Sequence, residues 1–110
     1  MDIIEYQARV LRTIDRRLTK KDLLSNLCMG LAGESGEVVD YIKKCMYHGH
    51  KIEMDKVVEE LSDVMWYLTN IATLFKIPMD NILVANIKKL EERYPEGFSE
   101  EKSINRKEYK

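Results

Sequence analysis

Two short acidic motifs on either side of a turn constrain this chain more than any other feature. One reads Gly33-Glu34-Ser35-Gly36-Glu37 and the other Glu59-Glu60-Leu61-Ser62-Asp63. On a helix, residues three apart lie ~60° apart around the axis and ~4.5 Å along it, so Glu34 shares a face with Glu37, and Glu60 with Asp63. Between the motifs, Tyr47-His48-Gly49-His50 has the composition of a reversal. Glu37 stands about 9 residues before that reversal and Glu60 about 10 after it, so a helical hairpin sets the two pairs level. Four carboxylates then face one another across two helices.

Such a cluster repels itself, and each added charge makes the next ionisation harder. Magnesium relieves the conflict, because this hard ion takes oxygen ligands in an octahedron and keeps several waters for substrate phosphates. The competing explanation is two ordinary solvated helix faces that carry acidic residues. Spacing within either motif alone does not separate the two.

A chain of 110 residues suits one domain, and a formal net charge of −1 without blocks of like charge disfavours nucleic-acid binding by bulk electrostatics. Cys28 and Cys45 form no CxxC and have no ligand-like spacing with His48 or His50, which suits buried thiols in a reducing compartment. Met1-Asp2-Ile3-Ile4-Glu5 lacks the basic and apolar regions of a signal peptide. The longest uncharged runs, 23–33 and 64–75, fall short of the ~20 residues that span a bilayer. The expectation is a cytoplasmic protein with neither a nucleic-acid nor a membrane partner.

Helical periodicity runs through most of the chain, and strand-like alternation is absent. Asp2 with Glu5 reads as a capping box for a first helix over about 3–18, where Arg16, Arg17, Lys20 and Lys21 close it. Asp22 or Ser25 is a candidate cap for a second helix reaching about residue 47. That helix carries Gly30, Gly33 and Gly36, each costing ~1 kcal/mol relative to alanine, either for close helix packing or for room beside Glu34 and Glu37. A third helix spans about 54–75. Beyond Asp63 it is apolar nearly all round, which points to a subunit interface. Pro78 suits the first turn of a fourth helix over about 79–93. The charged tail, 99–110, reads as loop, with Ile104 and Tyr109 its sizeable apolar groups.

Glu34-x-x-Glu37 followed by Glu59-Glu60-x-x-Asp63 resembles the signature of the MazG-like nucleotide pyrophosphohydrolases, within the all-α NTP pyrophosphatase superfamily. The string Glu59-Glu60-Leu61-Ser62-Asp63-Val64-Met65-Trp66 is close to that family's second motif. Lys89-Leu90-x-x-Arg93-Tyr94-Pro95-x-x-Phe98 is similar to its third. The resemblance implies an all-α, four-helix MazG-like bundle over 1–98, completed by association into a homodimer or homotetramer, with 99–110 as an appended tail. It also implies hydrolysis of a nucleoside triphosphate, with Mg2+ (Mn2+ as a substitute), between the α and β phosphates, giving monophosphate and pyrophosphate. Glu34, Glu37, Glu60 and Asp63 would hold the metal and form the catalytic set.

On the fourth helix, Asn86, Lys89 and Arg93 fall at i, i+3 and i+7 and share a face. By spacing alone they are either a solvated basic stripe near a helix C-terminus or a phosphate-binding set. The resemblance favours substrate binding for Lys89 and Arg93 and supports Asn86. Trp66 is either core or a surface for stacking on a nucleobase. Glu59 and Asp40 flank the main pairs, Lys44 reads as a surface residue, and His48 and His50 read as turn residues. No ExxH occurs, which disfavours a di-iron bundle. Two rivals to the enzyme remain: a non-catalytic helical oligomer whose acidic cluster is an ion-pair or partner-binding surface, and a nucleotide-binding regulator.

Overall fold

The structure, a computed structural model, describes residues 1–106 and consists of five helices: α1 (Ile3–Leu11), α2 (Lys20–Tyr47), α3 (Met54–Leu74), α4 (Met79–Arg93) and α5 (Glu100–Ile104). The chain is all-α, and no strand forms among the described residues. No helix there is long and apolar enough to cross a membrane.

Asp2 caps α1 as the residues imply, its side chain accepting from the Glu5 N–H at 2.8 Å. The helix stops at Leu11, well short of the expected residue 18. The segment that follows offers the backbone other partners. Thr13 Oγ1 donates to the Val10 carbonyl, and Asp15 accepts from both the backbone N–H and the guanidinium of Arg17. Short polar side chains that bond their own backbone compete with helix in this way. Thr19, in place of Asp22 or Ser25, then caps α2 by accepting from the Asp22 N–H at 3.1 Å.

The long hairpin of α2 and α3 is the backbone of the molecule. Gly49 makes the reversal at φ 75°, a conformation that favours glycine, and the His50 N–H turns back to the Lys44 carbonyl. Tyr41 Oη accepts from the Glu53 N–H at 2.9 Å, tying the start of α3 to α2. At the other end, Lys76 takes φ 58°, its N–H bonding the Thr73 carbonyl and the Ile77 N–H the Ala72 carbonyl. These two bonds are the Schellman pattern, with lysine at the position glycine usually takes.

Pro78 is the N-cap of α4, one residue before the expected first turn, and provides no side-chain cap. Gln7 of α1 supplies one instead. Its Oε1 accepts from the Met79 N–H at 2.8 Å, while its Nε2 donates to Thr73 Oγ1 and to the Ile77 carbonyl. One amide thus joins α1, the end of α3 and the start of α4. The tail, expected as loop, forms α5, with Ser99 accepting from the Lys102 N–H. Tyr109 lies outside the described residues.

Packing is uneven. α2 and α3 lie along one another, α1 packs on α3, and α4 rests chiefly on α1. The radius of gyration is 17.3 Å, against about 13 Å for a compact domain of this length. Among the described residues the buried apolar side chains are Val10, Leu27, Ala72 and Met79, a small core for five helices. Leu83, Val84, Ile87 and Leu90 of α4 remain exposed, Val84 by 66%.

Candidate metal centre

The hairpin sets the two acidic motifs opposite each other. Glu34 on α2 and Glu60 and Asp63 on α3 each offer a carboxylate oxygen, and these oxygens lie within 4.8 Å of one another. Glu60, with 8% exposure, is the most enclosed of the three; Glu34 and Asp63 are half-buried. Glu37 is exposed and stands outside that tight group. It is still close enough for its charge to be felt. The pKa of Glu34 is raised above its ordinary range, first by desolvation and then by the charges of Asp63, Glu60 and Glu37. Glu34 therefore resists ionisation, a condition that a bound cation relieves.

Gly30 and Tyr67 set the helix spacing at this point. Gly30 lies one turn before Glu34 and Tyr67 one turn after Asp63, and a Cβ at Gly30 would overlap the Tyr67 ring. A Cβ at Gly33 or Gly36 would meet nothing within 4 Å. The three glycines thus divide. Gly30 serves close helix packing, whereas Gly33 and Gly36 leave open surface flanking Glu34.

Beside the carboxylates is a crevice of about 330 Å³ lined by Glu34, Asp63, Trp66 and Tyr67. Trp66 donates its indole N–H to Thr13 Oγ1 at 2.7 Å and meets the Tyr67 ring edge-on, with centroids 4.9 Å apart. The indole is therefore anchored, and it forms one wall of the crevice. Two further residues that the motifs do not single out belong here. Tyr67 follows Asp63 by four residues on the same stripe. Lys56 precedes Glu60 by four and places its ammonium 2.9 Å from Glu60 Oε1. Both positions follow from helical spacing applied to the acidic motif.

The basic face lies elsewhere on the chain. Asn86 and Lys89 are exposed on α4 and Arg93 is half-buried. Lys89 and Arg93 line a second, larger hollow at the C-terminal end of α4, which shares no lining residue with the carboxylate crevice. Lys44 pairs with Asp40 at 2.9 Å, as does Lys43 at 3.4 Å, so Asp40 is engaged along its own helix. His48 is the C-cap of α2 and His50 lies in the turn; Glu59 is exposed. Ser35 and Ser62 donate to helix carbonyls at Leu31 and Glu59.

No solved structure matches the chain. It is similar to the Gene 37 protein of Mycobacterium phage L5, 31% identical over 87 residues that cover 76% of each chain. The model of the MazG nucleotide pyrophosphohydrolase domain matches residues 24–98, a span that contains α3, α4, both acidic motifs and the Lys89–Arg93 face. With a helical hairpin presenting opposed carboxylates along the same span, the chain belongs to the MazG nucleotide pyrophosphohydrolase family.

Proposed function

We propose that this protein is a magnesium-dependent nucleoside triphosphate pyrophosphohydrolase, cleaving ribo- or deoxyribonucleoside triphosphates between the α and β phosphates. The observation that carries the reading is the convergence of Glu34, Glu60 and Asp63 from two helices in a chain of this family. The donor set fits the ion. It is made of hard carboxylate oxygens on rigid helices. Glu37, one turn beyond Glu34, completes the ligand group, and manganese shares the same preference for oxygen.

Bound magnesium would screen the polyphosphate and lower the pKa of an attacking water. The chain's own residues do the rest. Glu34, Glu37, Glu60 and Asp63 hold the ion and form the catalytic set. Lys89 and Arg93 bind phosphate oxygens and stabilise charge on the leaving pyrophosphate, with Asn86 on the same face. Trp66 offers a surface beside the carboxylates for the nucleobase. Among the described residues the carboxylate crevice and the basic hollow share no lining residue, which supports a second copy bringing α4 to the crevice. The working unit is accordingly a homodimer or a dimer of dimers.

A panel of nucleoside triphosphates and deoxynucleoside triphosphates incubated with magnesium tests the reading. The expected products are monophosphate and pyrophosphate, while orthophosphate and diphosphate as primary products would overturn it. Glu37→Gln or Asp63→Asn abolishes turnover at any practical magnesium concentration, whereas Arg93→Ala weakens substrate handling and leaves metal binding intact. Equal loss of magnesium affinity in all three variants would contradict the assigned roles.

A further inference from the structure

Beyond Arg93 the chain doubles back. The Gly97 N–H bonds the Tyr94 carbonyl, Gly97 takes φ 94°, and the rings of Tyr94 and Phe98 pack with centroids 5.4 Å apart. This turn folds α5 beside the end of α4 and encloses a hollow of about 670 Å³, within the size range of small-molecule sites. Its cations come from two helices: Lys89 and Arg93 from α4, Lys102 from α5, and Arg106 just beyond it. Among the described residues they outnumber the carboxylates in the lining, Glu92 and Glu101, on a chain whose formal charge is −1. Lys89 and Lys102 take no part in any ion pair among the described residues. Arg93 and Arg106 are half-buried and their Nε atoms are enclosed, so both side chains are held in place. A solvated basic stripe would lie along one helix face. Here, cations from two helices surround one concavity.

We propose that α5 and the residue pair Lys102 and Arg106 complete a polyphosphate-binding cavity with Lys89 and Arg93. Lys102 and Arg106 lie beyond residues 24–98, the part of the chain that the family model covers. The chemistry is that of phosphate recognition. Guanidinium groups give paired N–H donors to phosphate oxygens, and ammonium groups add compact charge. A hollow of this size accommodates linked phosphates, whereas a single phosphate engages only part of the cationic lining. The role of this cavity in turnover rests on the pyrophosphohydrolase reading; its affinity for a polyphosphate does not.

Calorimetric titration of the full chain with inorganic pyrophosphate, in chelator, tests the proposal. Wild type is expected to bind. Lys102→Ala and Arg106→Ala should each weaken binding by about tenfold, the worth of a charge-assisted hydrogen bond. Arg106→Lys should lose less than Arg106→Ala, which separates lost charge from disturbed folding. Glu34→Gln should leave pyrophosphate affinity undiminished. In the turnover assay, the Lys102 and Arg106 variants should raise KM for the triphosphate. Unchanged pyrophosphate affinity in both alanine variants would overturn the proposal, as would orthophosphate or sulfate binding as tightly as pyrophosphate. Pyrophosphate binding that depends on Lys102 and Arg106 in a protein without turnover would sustain the cavity and remove the enzymatic reading. Turnover with both KM and pyrophosphate affinity unaffected by either variant would do the reverse.

Discussion

The ring of Tyr67 on α3 occupies the space that a side chain at Gly30 on α2 would fill. This contact holds the helices close one turn from Glu34 and Asp63. Gly30→Ala gains ~1 kcal/mol of helix propensity but forces the ring to shift, and overpacking of this kind costs ~1–3 kcal/mol. A net loss of about 1 kcal/mol is expected. Gly33→Ala and Gly36→Ala meet nothing and should gain ~0.5–1 kcal/mol. Thermal melts of the three variants check the difference in sign, and a stabilised Gly30→Ala would refute it.

Lys56 holds Glu60 at 2.9 Å with its side chain about two-fifths exposed. A cation entering the cluster competes with that ammonium. Lys56→Met should therefore lower the metal-free melting point and tighten magnesium binding by about two- to fivefold, the range expected of a partly exposed ion pair. Titration of magnesium by calorimetry reads the second effect. Weaker magnesium binding in the variant would show that Lys56 supports the ion instead of opposing it.

The raised pKa of Glu34, caused by desolvation and by its acidic neighbours, gives a pH dependence of definite sign. Between the unfolded value and the higher folded value, the folded state binds more protons. Stability is then fully present below the unfolded pKa and falls as pH rises through the folded pKa. In chelator, Glu34→Gln should flatten this slope and match or exceed wild-type stability at pH 7. With magnesium the order reverses, because wild type gains ~2.7 kcal/mol at a hundredfold excess over Kd, on the order of 10 °C in melting point. Melts at one protein concentration, across pH, with and without magnesium, decide the matter. An identical magnesium response in the two proteins would remove Glu34 from the ligand set.

Thr69 and Asn70 are fully buried on α3, and Thr69 Oγ1 has no hydrogen-bond partner among the described residues. Thr69→Val keeps the shape and removes the stranded hydroxyl, so it should stabilise the protein by about 1 kcal/mol, a rise of about 4–8 °C. Destabilisation on thermal melting would mean that the hydroxyl is bonded in solution.

The exposed apolar face of α4 calls for cover. Light scattering at micromolar concentration should give at least twice the 12.9 kDa chain mass. Replacing Val84 and Ile87, 66% and 54% exposed, with aspartate should shift the mass towards one chain. A wild-type monomer would refute the expectation.

Helix identity and the partnership of the acidic motifs were legible in the residues themselves. Apolar spacing brackets α2, α3 and α4 to within a few residues, and Gly49 between them makes the reversal that sets Glu34 level with Asp63. These are local properties, fixed by a period of 3.6 and by the conformational freedom of one glycine. The early end of α1 was harder to read, because Thr13 and Asp15 bond their own backbone while the apolar spacing continues to Leu18. The tail concealed α5 for a related reason: its cap at Ser99 is local, but a helix of five residues has no periodicity to detect. Other features depend on what the chain meets at a distance. Spacing puts Gly30, Gly33 and Gly36 on an equal footing, and only the Tyr67 ring distinguishes the first. Gln7 looks like one more residue on α1 until folding brings Thr73, Ile77 and Met79 to its amide. Lys89 and Arg93 share a face by sequence, yet the hollow they line exists because Lys102 and Arg106 fold back beside them. Periodicity records which face a residue shares; what stands opposite that face is set by how the helices pack.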